Sequence, residues 1–281
     1  MRRIASRENP HYKALKRLCE SGRERRRSGC VLLDGMHLIE AYRQHCGKPG
    51  EVLVGESGAT RPEIARYLAG AAAATNITVL ADPLFAGLAM VDAPSGIMAV
   101  VRLPQPARML DHDADAVLLD GLQDPGNVGS ILRSAAAAGF RQVLLSADCA
   151  QVWSPKVLRA AMGAHFQIDL HESADLADFL AAYRGQAVAT SLAASRSLYE
   201  AELRAAVAWV FGSEGSGVRP SLLAATRQHL RIPMPGGSES LNVAAAAAIC
   251  LFETVRRRTG TPGNATIHEH HHASGATAAK D

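Results

Sequence analysis

Apolar residues in this chain fall into short unbroken runs, and the stretches between them carry helical spacing. The runs at 30–33, 51–54, 77–80 and 97–103 have strand length. Between them, residues 35–45 and the Ala-rich 61–74 read as helices, and Asp82 opens a short one with Pro83 in its first turn. Residues 9–27 read as one basic helix, since Tyr12, Leu15 and Leu18 make a narrow apolar stripe while Arg and Lys face outward. This alternation predicts a small α/β domain over residues 1–104. The LPQPA segment at 103–107 is the expected linker, because its two prolines interrupt any regular pattern.

Beyond it the runs lose all polar alternation, as expected of parallel strands covered on both faces. Strands are expected at 116–119, 142–146, 166–170, 187–191 and 207–211, and at 229–234, where Pro233 and Pro235 stop the run. Helices are expected at 127–138, with Asn127 as cap and Gly139 as terminator, and at 155–162, 175–183 and 220–226. A last helix starts at Ser240 or Asn242 and opens with five alanines, 244–248. The second domain therefore spans 108–258 as a parallel sheet flanked by helices. Residues 259–281, rich in Gly, Ala, Thr and His, read as a disordered tail, and the histidines at 268, 270, 271 and 272 as part of it rather than as a metal site. Trp153 and Trp209 are expected in the core. His11, His37, His165 and His171 are expected to be structural or surface residues.

Composition is globular, at 48% hydrophobic and 20% charged over 281 residues. No apolar run has the length of a membrane helix, and no apolar stretch follows the basic N-terminus as in a secretory signal. The cysteines are five, scattered, with no CxxC, which predicts reduced thiols in a cytoplasmic protein and no zinc site. Charge is uneven. The first 27 residues hold ten Lys/Arg and three Glu, a local +7 in a chain of net +3. Arg23, Arg25, Arg26 and Arg27 are the candidate contacts to a nucleic-acid phosphate backbone.

Three Gly-rich loops each follow a strand-like run, at 124–129, 212–217 and 236–242. Such loops offer free backbone N–H groups and helix N-termini. GSEGSG lacks the Gly-Lys-Ser/Thr of a P-loop, no GxGxxG opens a helix, and no GxSxG elbow is present. The residues alone thus predict a nucleotide-like ligand at the strand C-termini.

The loops taken together go further. Asn127 and Arg133 in NVGSILR, Glu214 in FGSEGSG, and Ser240 with Asn242 in SLNVAAA follow one pattern in order and spacing. The chain resembles the SpoU (TrmH-like) class of the SPOUT RNA methyltransferases, over all three family motifs. The resemblance implies transfer of a methyl group from S-adenosylmethionine to a ribose 2′-OH of structured RNA, ribosomal RNA ahead of transfer RNA. It implies a catalytic domain closed by a trefoil knot, a ribosomal-protein-like substrate-binding domain before it, and a homodimer. Gly212, Ile232, Leu241, Ser191 and Met234 match cofactor-binding positions, and Arg133, Asn127, Glu214, Ser240 and Asn242 match catalytic ones. Guanidinium stays charged, so Arg133 is expected to clamp a phosphate or stabilise developing alkoxide, with Asn127 and Glu214 orienting Arg133, the substrate or the loops, and Ser240 and Asn242 doing likewise from the third loop. The alternative class is a non-catalytic RNA-binding protein of the same fold.

Overall fold

A computed structural model describes residues 2–71, 75–89, 94–106 and 108–259. Of the tail expected at 259–281, Thr259 instead ends the last helix, and residues 260–281 with their histidines lie outside the described residues, as do residues 72–74 of the expected helix and Ala107 of the linker.

In chain order the first half comprises β1 (Arg2–Ile4), α1 (Pro10–Glu20), α2 (Gly22–Ser28), β2 (Cys30–Asp34), α3 (Met36–His45), β3 (Glu51–Gly55), α4 (Glu56–Ala59), α5 (Pro62–Ala71), β4 (Asn76–Leu80), α6 (Asp82–Leu88) and β5 (Ile97–Arg102). Its sheet has the order β1-β4-β3-β5-β2, with β5 antiparallel to both neighbours. The short first strand was not legible, because RRI shows no apolar run.

The expected single basic helix is two helices. Ser21 is extended, with φ −117° and ψ 113°, and its side chain caps α2 at the Glu24 N–H. Serine bonds its own local backbone readily, so it breaks a helix more easily than the flanking charges hold it. Arg25 then folds back and donates to the carbonyls of Leu18 and Cys19 at 2.8 and 2.9 Å, satisfying the open end of α1. It also reaches Gln151 of the second half at 2.9 Å.

The second half comprises β6 (Ala116–Asp120), α7 (Pro125–Ala137), β7 (Gln142–Leu145), α8 (Pro155–Ala161), β8 (Asp169–His171), α9 (Leu176–Ala182), β9 (Gln186–Thr190), β10 (Val207–Gly212), α10 (Pro220–Ala225), β11 (Gln228–Leu230) and α11 (Val243–Thr259). Its sheet is parallel throughout, in the order β11-β9-β10-β6-β7-β8. The run expected as one strand at 166–170 divides into a 3-10 turn, Ala164–Phe166, and β8.

Strand period two sorts the core. Val117 and Leu119 of β6, with Val207, Trp209 and Phe211 of β10, pack on the face covered by α7, α8 and α11. Ala116, Leu118, Ala208 and Val210 pack on the face covered by α9 and α10. Trp209 and Trp153 are both buried, as expected. The Trp209 indole N–H donates to Thr254 of α11 at 3.1 Å. Arg258, in the last turn of α11, forks onto Asp115 at 2.5 and 2.8 Å, while that carboxylate accepts from the Val207 N–H. A cation at a helix C-terminus is also favoured by the dipole.

The two sheets share one apolar cluster, running from Val31 and Leu33 through Leu38 to Val157 and Leu158. Tyr42 meets Phe166 edge-on at 5.3 Å, and His37 contacts the Met162 carbonyl at 3.2 Å. All five cysteines are free. Among the described residues no helix is long and apolar enough to cross a membrane.

Candidate active site

The C-terminal ends of β9, β10 and β11 open into a cavity of about 340 Å³. Its size is in the range of small-molecule sites. Ser191, Gly212, Ile232, Met234 and Leu241, the five residues the resemblance marked for cofactor, all line it, together with Glu214, Ser240 and Asn242. Leu192, Val218, Leu230, Val243 and Ala246 add apolar wall that the motif reading did not mark.

The loop after β10 doubles back on its own strand. Gly217 N–H donates to the Ser213 carbonyl at 2.9 Å, and a Cβ on Gly212 would overlap the backbone of Gly217 and Val218. Only glycine permits that approach. The backbone N–H groups of Ile232, Met234 and Leu241 have no partner among the described residues. Unengaged donors beside an apolar wall are what a polar ring system needs.

The three loops are joined by side chains. The Asn127 amide donates to Glu214, and its oxygen accepts from the Asn242 amide at 2.9 Å. Asn242 also caps α11, its oxygen accepting from Ala244 and Ala245 at 2.9 and 3.3 Å. The expected start of that helix at Ser240 or Asn242 is thus settled in favour of Asn242. Asn127 is not the cap of α7, as first expected. Asp124 caps it, accepting from the Asn127 N–H at 2.7 Å. Asn127 sits one turn inside, and its side chain is released for the site.

Of the three targets expected for Asn127 and Glu214, their hydrogen bonds reach the loops, while Arg133 stands exposed on α7 with no hydrogen bond or ion pair among the described residues and does not line the cavity. One expectation is corrected. Arg25 is 4% exposed and spent on backbone carbonyls and Gln151, so it is no phosphate contact. Arg23, Arg26 and Arg27 are exposed, with Arg27 paired to Glu24.

The sequence reading also missed a buried ion pair. The Asp120 carboxylate, with a side chain 1% exposed, ends β6 and meets the Arg219 guanidinium at 2.5 Å. It also accepts from the Arg219 N–H at 2.8 Å. That carboxylate pushes the Arg219 pKa up. The available signal was a carboxylate directly closing an all-apolar run, AVLLD, which no central strand needs for packing. Beside it, Asp148 accepts from the Ser146 hydroxyl, which holds its pKa below the usual carboxylate range.

Against known proteins, the family model described as the SpoU rRNA Methylase family matches residues 115–252. An uncharacterized tRNA/rRNA methyltransferase of Synechocystis is 33% identical, the match covering 92% of this chain and 96% of that one. The 23S rRNA (guanosine(2553)-2′-O)-methyltransferase of Bacillus subtilis is 31% identical over 90% of this chain and 98% of its own. The crystal structure of the SpoU methyltransferase AviRb from Streptomyces viridochromogenes, in complex with the cofactor AdoMet, superposes with a TM-score of 0.80 at 26% identity, covering 90% of this chain and 99% of that one.

Proposed function

The chain belongs to the SpoU rRNA methylase family, and from that premise we propose how its site methylates the ribose 2′-OH of ribosomal RNA. It is an RNA 2′-O-methyltransferase that uses S-adenosylmethionine. The observation that carries the mechanism is the Glu214–Asn127–Asn242 chain, which ties three loops together at the rim of the cavity.

S-adenosylmethionine fits this lining. The free N–H groups of Ile232, Met234 and Leu241 would read its polar edges, and Val218, Leu230 and Val243 would cover its rings. Bound there, it supplies an electrophilic methyl group. Glu214 has a carboxylate oxygen that would accept the hydrogen bond of the ribose 2′-OH and take its proton, leaving the ribose oxygen to receive the methyl group as the bond from that methyl to the cofactor sulfur breaks. Asn127 holds that carboxylate in place by donating to it, so little reorganisation is needed at the moment of reaction. Fixing the two reactants in one site supplies a large further part of the rate. Arg133 takes a phosphate of the bound RNA, for which its exposed, unpaired fork is suited.

Three further features belong to this reading. The catalytic half closes in a trefoil knot, a reading supported by the chain leaving β11 running beside the β9–β10 connection, with Arg231 N–H on the Arg196 carbonyl at 2.9 Å and Leu198 N–H on the Arg231 carbonyl at 2.8 Å. Knots are nearly absent from proteins, so this departs from ordinary topology. Residues 1–104 serve as the RNA-binding unit, through Arg23, Arg26 and Arg27. The enzyme is a homodimer, for which α11 offers an uncovered stripe of Ala245, Phe252 and half-buried Ile249.

The test is transfer of labelled methyl to in-vitro-transcribed 16S and 23S rRNA, with nucleoside mass spectrometry. Label in a 2′-O-methylnucleoside, lost in Glu214→Gln and Arg133→Ala with cofactor affinity within about tenfold, or 1.4 kcal/mol, supports the mechanism. Label in transfer RNA alone would reassign the substrate. Full activity in Glu214→Gln would remove that carboxylate from the proton transfer.

A further inference from the structure

A second cavity, of about 490 Å³, opens beside the first. It lies at the C-terminal ends of β6, β7 and β10, whereas the first lies at the ends of β9, β10 and β11. Ser213, Glu214 and Gly217 line both, so the β10 loop is their common wall. Methyl transfer needs its acceptor against its donor, with the ribose at Glu214. The base on that ribose then has the second cavity within reach.

The lining says what kind of group enters. Asp120 and Arg219 neutralise each other. Asp148 and Glu214 remain, so the cavity carries excess negative charge and repels phosphate. Asp148 is ionised and fixed by the Ser146 hydroxyl, which itself accepts from the Gly121 N–H at 2.9 Å. A fixed carboxylate pairs best with two adjacent N–H donors. Among the four RNA bases only guanine offers these, at N1 and N2, next to an acceptor at O6. Adenine and cytosine offer one amino group beside a ring acceptor, and uracil one N–H between two carbonyls. Gln123 and the free N–H groups of Arg219 line the same cavity and can donate to O6. Unpaired bases are read through such edges once splayed from the stack.

We propose that this second cavity is a guanine pocket, and that Asp148 and Gln123 determine the methylated nucleotide. The assignment rests on the ribose methylation described above. Asp148 is exposed, so a base with one donor leaves part of the carboxylate to water, and the base that offers two adjacent donors is preferred.

The full-length protein is assayed on in-vitro-transcribed 16S and 23S rRNA, with the methylated nucleoside identified by mass spectrometry and S-adenosylmethionine affinity measured by calorimetry. The expected product of the wild type is 2′-O-methylguanosine. Asp148→Asn is expected to raise KM for RNA at least tenfold, with kcat changed less and cofactor affinity within twofold, since a ground-state contact is removed. Asp148→Glu should recover part of that loss. Gln123→Glu, at an exposed position, sets a carboxylate against O6 and should raise KM similarly, and it decides the matter if Asp148→Asn fails to fold. A different methylated nucleoside, or both variants matching wild-type KM, would overturn the pocket while leaving the enzyme's reaction standing. Cofactor binding without transfer to rRNA or to transfer RNA would overturn both.

Discussion

At the scale of single residues, the site turns on what a side chain is released from. Asp124 satisfies the first turn of α7, so the Asn127 amide is free to bridge Glu214 and Asn242. Asn127→Asp replaces its donor by a second carboxylate facing the first. Losing a hydrogen bond to a charged group costs about 1.5–3 kcal/mol, so methyl transfer is expected to fall roughly 10- to 100-fold, with the melting temperature little changed. Wild-type kinetics in that variant would show the bridge to be idle. His165 gives the opposite lesson, a histidine with no chemistry. It is buried, one ring nitrogen contacts the Val152 carbonyl at 2.8 Å, and burial lowers its pKa from 6.5 to about 4. Its folded pKa lies below the unfolded one, so its contribution is fully present above pH 6.5 and is lost as pH falls toward about 4. That loss amounts to roughly 3 kcal/mol at most. Denaturant titrations at pH 7.5 and pH 4.5 should show it, and His165→Gln should lack that share of the difference.

At the scale of elements, close approach and capping decide the geometry. Gly129 of α7 lies against α8, where an added Cβ would sit 2.8 Å from the Val157 carbonyl and overlap Ala160. Gly129→Ala gains about 1 kcal/mol of helix propensity but overpacks the contact at a cost of about 1–3 kcal/mol. The overlap with fixed backbone wins, and urea unfolding should show a net loss of stability; a gain would mean the helices can separate. The basic segment divides similarly. Arg25→Ala uncaps α1 and frees Gln151, and should cost about 1–3 kcal/mol of stability. Replacing Arg23, Arg26 and Arg27 together by Ala should leave stability within about 0.5 kcal/mol. It should flatten the salt dependence of RNA binding by roughly 2 in log–log slope. An unchanged slope would make those three a solvated surface. The motif residues were legible because chemistry fixes their type. The helix break at Ser21 was not, since capping competes with helical spacing locally and the winner depends on where Arg25 can fold.

At the scale of the whole molecule, the proposed homodimer would form through α11. Trp209, Thr254 and Asp115 hold one side of it to the sheet, and Phe252 stays 48% exposed on another. A charge there should break a twofold apolar contact, so the wild type is expected to sediment as a dimer at micromolar concentration and Phe252→Glu to shift toward monomer. A wild-type monomer would end the dimer reading. The sequence by itself determined the α/β class, the order of nearly all the strands, the three loops and the residue types in them. Those follow from apolar period and from chemistry that tolerates few side chains. Tertiary structure decided the rest: the reversed β5, the shared apolar cluster that joins the two sheets, the pairing of Asp120 with Arg219, the burial of Arg25 and the isolation of Arg133. Each of these depends on groups distant in sequence meeting in space. Local patterning records that a position is apolar, charged or cap-prone. It does not record which partner a charge finds, and that partner decides whether an arginine binds a ligand, closes a helix or stands free.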